Sequence, residues 1–129
     1  MRARDALGRP VPEGDPDAVT PVSEQALPAG QALAVAQQFL DIGRAFSAHE
    51  VLEASWKAAP PDERAGWQGL AQVCVGVTHL QRGNRVGAAR LLRRGAMTAP
   101  PDVAAQAIRL AEQVEAGRTD VPVLRLRGW

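Results

Sequence analysis

The chain has 129 residues, enough for one domain with a buried core. Its 15 basic and 14 acidic side chains nearly cancel, which argues against nucleic acid or another polyanion as partner. The single cysteine, Cys74, excludes an internal disulfide framework and fits a reducing compartment.

No apolar run approaches the roughly 18 residues of a membrane span, and "MRARDALGRP" leads into prolines rather than an apolar signal core. The expectation is a cytoplasmic protein with no membrane segment. Residues 1–30 hold Pro10, Pro12, Pro16, Pro21 and Pro28 and show no apolar period. They predict an extended arm without secondary structure. A helical bundle domain follows over 31–117, and 118–129 form a tail that docks on it.

Helix one starts near Gln31. Leu33, Ala36, Phe39 and Leu40 recur at three- and four-residue steps, and Gly43 is its cap. Helix two opens in "SAHEVLEASW" and stops at Pro60–Pro61. Ser47 and Glu50 fit an S-x-x-E capping box, which would occupy Glu50 at the backbone. At ~100° per residue His49, Leu52, Glu53 and Trp56 share one side, and Glu50 points away from it.

Helix three, Trp67 to Leu80, carries no formal charge apart from a protonated His79. A surface helix normally has a charged face, so the other helices should surround this one. Leu70, Val73, Cys74 and Val77 form its apolar face; Gln68, Gln72 and His79 line up roughly opposite. Such polar groups need partners, and those of helix two are the expected ones. Helix four, Arg85 to Thr98, sets Ala88, Leu91 and Leu92 against Arg90, Arg93 and Arg94. Helix five, Val103 to Gly117, packs through Ala107, Leu110, Ala111 and Val114. In the tail, Val121, Leu124, Leu126 and Trp129 are the docking candidates.

A repeat supports this all-α layout. "GRAFSAHEVLEASWKAAPPD" from Gly43 aligns without gaps on "GNRVGAARLLRRGAMTAPPD" from Gly83. Glycine, leucine (Leu52, Leu92) and the Ala-Pro-Pro-Asp terminator coincide. Two such helical hairpins predict a compact bundle of about five helices. Where the first copy has His49, Glu53 and Trp56, the second has Ala89, Arg93 and Ala96. The scaffold does not require those three side chains.

The same residues carry a family resemblance. "FSAHEVLEASW", "QGLAQ", "HLQRGN" and "GAARLL" resemble the bacterial and archaeal helical family catalogued as domain of unknown function 309, with its H-x-x-x-E-x-x-W/Y motif at His49, Glu53 and Trp56. The resemblance covers about Phe39 to Thr98. It implies an all-helical bundle and a motif suspected of metal binding, and it supplies no reaction.

Four residues apart on one helix, His49 and Glu53 suit two ligands of one divalent metal such as zinc or manganese, and His79 is the candidate third. Glu50, Trp56, Gln68 and Gln72 would support that pocket, placed between helices two and three. "HEVLE" lacks the second histidine of H-E-x-x-H, and glutamines are poor zinc ligands. The functional expectation is a small helical protein whose His/Glu/Trp pocket takes a divalent metal or another small ligand. The alternative is a helical-repeat module that binds a protein partner and uses the cluster only to fix its hairpins. Arg82, Arg85, Arg90, Arg93 and Arg94 read as a solvated face, "RGNRVG" as a turn, and Cys74 as core.

Overall fold

Proline and glycine set where each helix starts and stops. The computed structural model describes residues 3–127. Its helices are α1 (Ala29–Asp41), α2 (Ala45–Ala58), α3 (Pro61–Gln81), α4 (Arg85–Ala96) and α5 (Pro101–Glu115). Pro61 and Pro101 are first-turn residues, where a missing N–H costs nothing because that donor has no partner inside a helix. At the other end, α1 and α3 stop on the same device. Gly43 (φ 77°) and Gly83 (φ 79°) take the left-handed conformation that a side chain would strain. The N–H of Gly43 reaches the Leu40 carbonyl at 3.1 Å and that of Arg44 reaches Phe39 at 2.8 Å. Gly83 to Leu80 and Asn84 to His79 repeat the pattern at 3.0 and 2.8 Å.

The repeat is therefore structural. α2 and α4 begin at equivalent positions, as do α3 and α5. Each helix packs on its sequence neighbours, α1 on α2, α2 on α3, α3 on α4 and α4 on α5, giving the all-α bundle expected. The middle helix carries the core: Leu70, Val73 and Cys74 are fully buried and Val77 nearly so, alongside Leu52 and Leu92. Gly69 and Gly95 allow α3 and α4 to approach closely. A Cβ on Gly69 would lie 2.5 Å from the Ala99 nitrogen.

The tail joins the two ends of this stack. Gln37 of α1 donates to the Leu124 carbonyl at 2.9 Å and accepts from the Leu126 N–H at 2.8 Å. Gln106 of α5 holds Arg125 the same way, at 2.8 and 2.9 Å. Leu124 is buried and Leu126 packs on the core, whereas Val121 remains exposed. Trp129 lies outside the described residues.

Several boundaries differ from the sequence reading. α1 begins at Ala29, two residues early, and α3 at Pro61, six residues early, because the second proline of the terminator also opens the next helix. α2 begins at Ala45 with Arg44 as its cap residue, so Ser47 lies inside the helix and the expected capping box is absent. Ser47 instead accepts a hydrogen bond from Arg44 Nη2 at 2.9 Å. The arm is not free of secondary structure. β1 (Ala3–Arg4) and β2 (Pro10–Val11) pair antiparallel, too short for alternation to show in the sequence. Asp5 closes their turn by accepting from the Leu7 and Arg9 N–H groups at 3.0 and 2.9 Å. The arm docks through Arg82, which donates to the Leu7 carbonyl at 2.9 Å, and through Arg4, set 5.0 Å from the Phe46 ring centre.

Candidate functional site

One stripe of α2, residues Phe46, His49, Glu50, Glu53 and Trp56, remains half-buried while its other inner positions pack into the core. Trp56 lies against that core. Helical spacing brings His49 and Glu53 together as expected, with Nε2 and Oε2 2.8 Å apart. The other oxygen, Oε1, meets Lys57 Nζ at 2.8 Å. Glu53 thus has both oxygens occupied within its own helix. Its side chain is 33% exposed and that of His49 17%.

Burial lowers the pKa of His49, with the Arg4 charge adding to it and the Glu53 carboxylate opposing. The neutral ring has one proton for two positions. Nε2 faces a carboxylate, the stronger acceptor, so the proton belongs there. Nδ1 is then left buried without a well-formed hydrogen bond, edged by Phe46, whose ring centre is 5.2 Å away. Glu53 shifts down because Lys57 bonds its charged form; burial opposes this and His49 assists. Glu50 shifts the other way. Burial raises its pKa, and the charges of Arg4 and Arg44 offset only part of that rise.

Glu50 borders two clefts. One, of about 320 Å³, lies toward the arm and is lined by Arg4, Asp5, Thr20, Phe46 and Ser47. The other, of about 280 Å³, is lined by Val22, Ser23, Glu24, Glu50, Glu53 and Lys57. The wall opposite α2 is therefore the arm. The expected facing of helices two and three does not put their polar groups in contact. Gln68, Gln72 and His79 form a separate half-buried stripe on α3 with Val75. His79 Nδ1 pairs with the Asn84 amide at 3.2 Å, and burial and Arg82 lower its pKa. No hydrogen bond among the described residues links these three to Glu53.

The donor set limits metal chemistry. His49 Nε2 and Glu53 Oε2 are close enough to face one ion, but the set stops at two. Among the described residues no group of three histidine, cysteine, aspartate or glutamate side chains is arranged to hold a metal. Lys57 had a sequence signal, its position four residues after Glu53, that passed unused. Arg4 and Glu24 had none, because the arm has no period to place them.

The remaining candidates are structural. Burial pushes the Cys74 thiol up to about 12, so it is an inert core group. Arg93 pairs bidentately with Glu115 at 3.0 and 2.7 Å, and Arg85 donates to the Val114 carbonyl at 2.8 Å. Part of the basic face therefore fastens α4 to α5. No helix among the described residues is long and apolar enough to cross a membrane.

Residues 33–91, from α1 into α4, match the family model described as Domain of unknown function (DUF309). "Uncharacterized protein YpuF" of Bacillus subtilis (strain 168) is 44% identical over 48 residues, which cover 36% of this chain and 28% of the relative. The match therefore spans little more than a quarter of that relative's length. No solved structure matches. The resemblance is shown over residues 33–91, a stretch that contains His49, Glu53 and Trp56: there the chain is similar to the DUF309 family, whose description names no function.

Proposed function

We propose that this chain binds a small organic cation in the cleft between α2 and the arm, where Glu24, Glu50 and Glu53 meet Lys57. The observation that supports this is the state of Glu50. Its carboxylate is half-buried, its pKa is raised by burial, and no hydrogen bond or ion pair among the described residues satisfies it. A buried carboxylate without a partner is costly, and a cation in the adjoining cleft would remove that cost. Glu53 is different, because His49 and Lys57 already compensate it. With three carboxylates against one ammonium, the lining favours a positive guest. The cleft, at about 280 Å³, suits an amine of a few carbons.

A divalent metal is the competing occupant, with His49 and Glu53 as its donors and zinc or manganese as the ion. Among the described residues it lacks a third ligand, and the Lys57 ammonium on the other oxygen of Glu53, Oε1, already compensates the charge that would hold the ion. Calorimetric titration of the chain with putrescine, 1-butanol, zinc chloride and manganese chloride separates these readings. The account expects putrescine to bind, butanol not to, and Glu50→Gln to abolish the difference. Binding of metal with no binding of amine would replace the organic cation by the ion. Equal affinity in wild type and Glu50→Gln would remove the cleft from consideration.

A further inference from the structure

A third cavity, of about 290 Å³, lies between the arm and the α1–α2 turn. Val22, Leu27, Val35, Phe39 and Val51 supply apolar walls, and Arg44 is the one charged residue of the lining. The guanidinium is half-buried and poorly used. Its Nη2 donates to Ser47 Oγ at 2.9 Å and, at 3.4 Å, to the Thr20 carbonyl. Its Nε is buried with no partner. The group lies 4.8 Å from the Phe39 ring centre, and no carboxylate among the described residues forms an ion pair with it. Glu50 feels its charge, but lines the neighbouring clefts rather than this one.

The repeat gives an independent reason to single out this residue. At the equivalent place in the second copy stands Asn84, whose side chain caps α4 by accepting from the Gly87 N–H at 2.9 Å. Arg44 makes no cap bond to α2. The scaffold would accept a capping residue here, as its other copy shows, yet it carries an arginine directed at an apolar cavity.

We propose that this cavity binds a small organic acid, with its apolar body against Val35, Phe39 and Val51 and its carboxylate on Arg44. A carboxylate satisfies guanidinium donors by charge-assisted hydrogen bonds, and these strengthen where apolar walls exclude water. A neutral guest of the same shape would leave those donors unmet, and an amine would bring two positive charges together. The site takes the opposite charge from the Glu50 cleft; Arg44 and Glu50 feel each other's charge, but the acid site rests on its own walls and donors and not on the cation reading.

The test titrates hexanoate, 1-hexanol and hexylamine into the full chain, followed by amide nuclear magnetic resonance shifts. Hexanoate is expected to bind about tenfold more tightly than hexanol, with shifts at Val35, Phe39 and Val51, and hexylamine to bind least. Arg44→Asn, which imitates the second copy and offers α2 a capping side chain that Arg44 does not provide, should erase the preference for the acid without lowering the thermal midpoint. Val35→Trp should block all three. Hexanol binding as tightly as hexanoate, an unchanged preference in Arg44→Asn, or no binding to the wild type would each overturn the proposal. The wild-type comparison decides the matter even where a variant fails to fold.

Discussion

His49→Ala separates a residue retained for binding from one retained for folding, and its cost follows from the surroundings of Glu53. If Glu53 were sealed in, removing His49 would leave an unpaired buried charge and cost about 3–5 kcal/mol. But Glu53 is 33% exposed and keeps Lys57 at 2.8 Å. What disappears is a helix i,i+4 pair, about 0.3–0.5 kcal/mol, and the edge contact with Phe46, about 0.5–1.5 kcal/mol. What is gained is a better helix former and relief of the buried Nδ1, whose contact with the Phe46 backbone is not a well-formed hydrogen bond. The opposing contributions are each on the order of 1 kcal/mol, so the net loss stays well below that of a stranded buried charge, about 3–5 kcal/mol. The second copy of the repeat, with Ala89 at that position, agrees. Denaturant midpoints at neutral pH measure it. A loss of about 3 kcal/mol or more would refute the reasoning and make the His49–Glu53 pair a structural element.

Glycine contacts give an opposed pair of predictions: Gly69→Ala should lower the denaturation midpoint because its Cβ meets backbone of Ala99 and Gly95, while Gly30→Ala, with open space around it, should raise stability by about 0.5–1 kcal/mol. Stability should also depend on pH. The pKa values of His49 and His79 are lowered on folding, so the unfolded chain binds more protons, and stability fully present above about pH 6.5 is lost as pH falls below that value and through the lowered folded pKa values. Glu50, raised on folding, opposes this trend, so the test uses Glu50→Gln: its midpoints between pH 7.5 and 5.5 should fall, adding His49→Ala and His79→Gln should flatten the slope, and a rise on acidification in Glu50→Gln would contradict the lowered histidine values. Replacing both Gln37 and Gln106 by Ala should free the tail, seen as fast hydrogen exchange at Arg125 and Leu126, with the core amides of Val73 and Cys74 still protected.

Helix identity and the core were legible because they rest on periodicity. Leu70, Val73, Cys74 and Val77 recur on one face of an uncharged helix, and all four are buried. The forty-residue repeat placed Gly43 and Gly83 at matching helix ends, and the same hydrogen bonds form at both. Capping was less legible. Ser47 and Glu50 satisfy the spacing of a capping box, but the left-handed turn at Gly43 starts α2 earlier and puts Ser47 inside it. For the site, helical spacing predicted the His49–Glu53 pair, since both lie on one element. It failed across elements. Gln72 and His79 face a stripe of α3 that does not meet Glu53, because the rotation of one helix against the next depends on packing, not on period. Arg4 and Glu24 come from the arm, where no pattern ties a residue to a place.

The central claim is that Glu50, not the His49–Glu53 pair, is the group that awaits a ligand. Comparing putrescine affinity in wild type, Glu50→Gln and His49→Ala tests it directly by calorimetry. The account predicts that Glu50→Gln loses binding, that His49→Ala keeps most of it, and that wild-type affinity weakens as pH falls toward the raised pKa of Glu50. Loss of binding in His49→Ala with retention in Glu50→Gln would contradict the claim and return the site to the histidine.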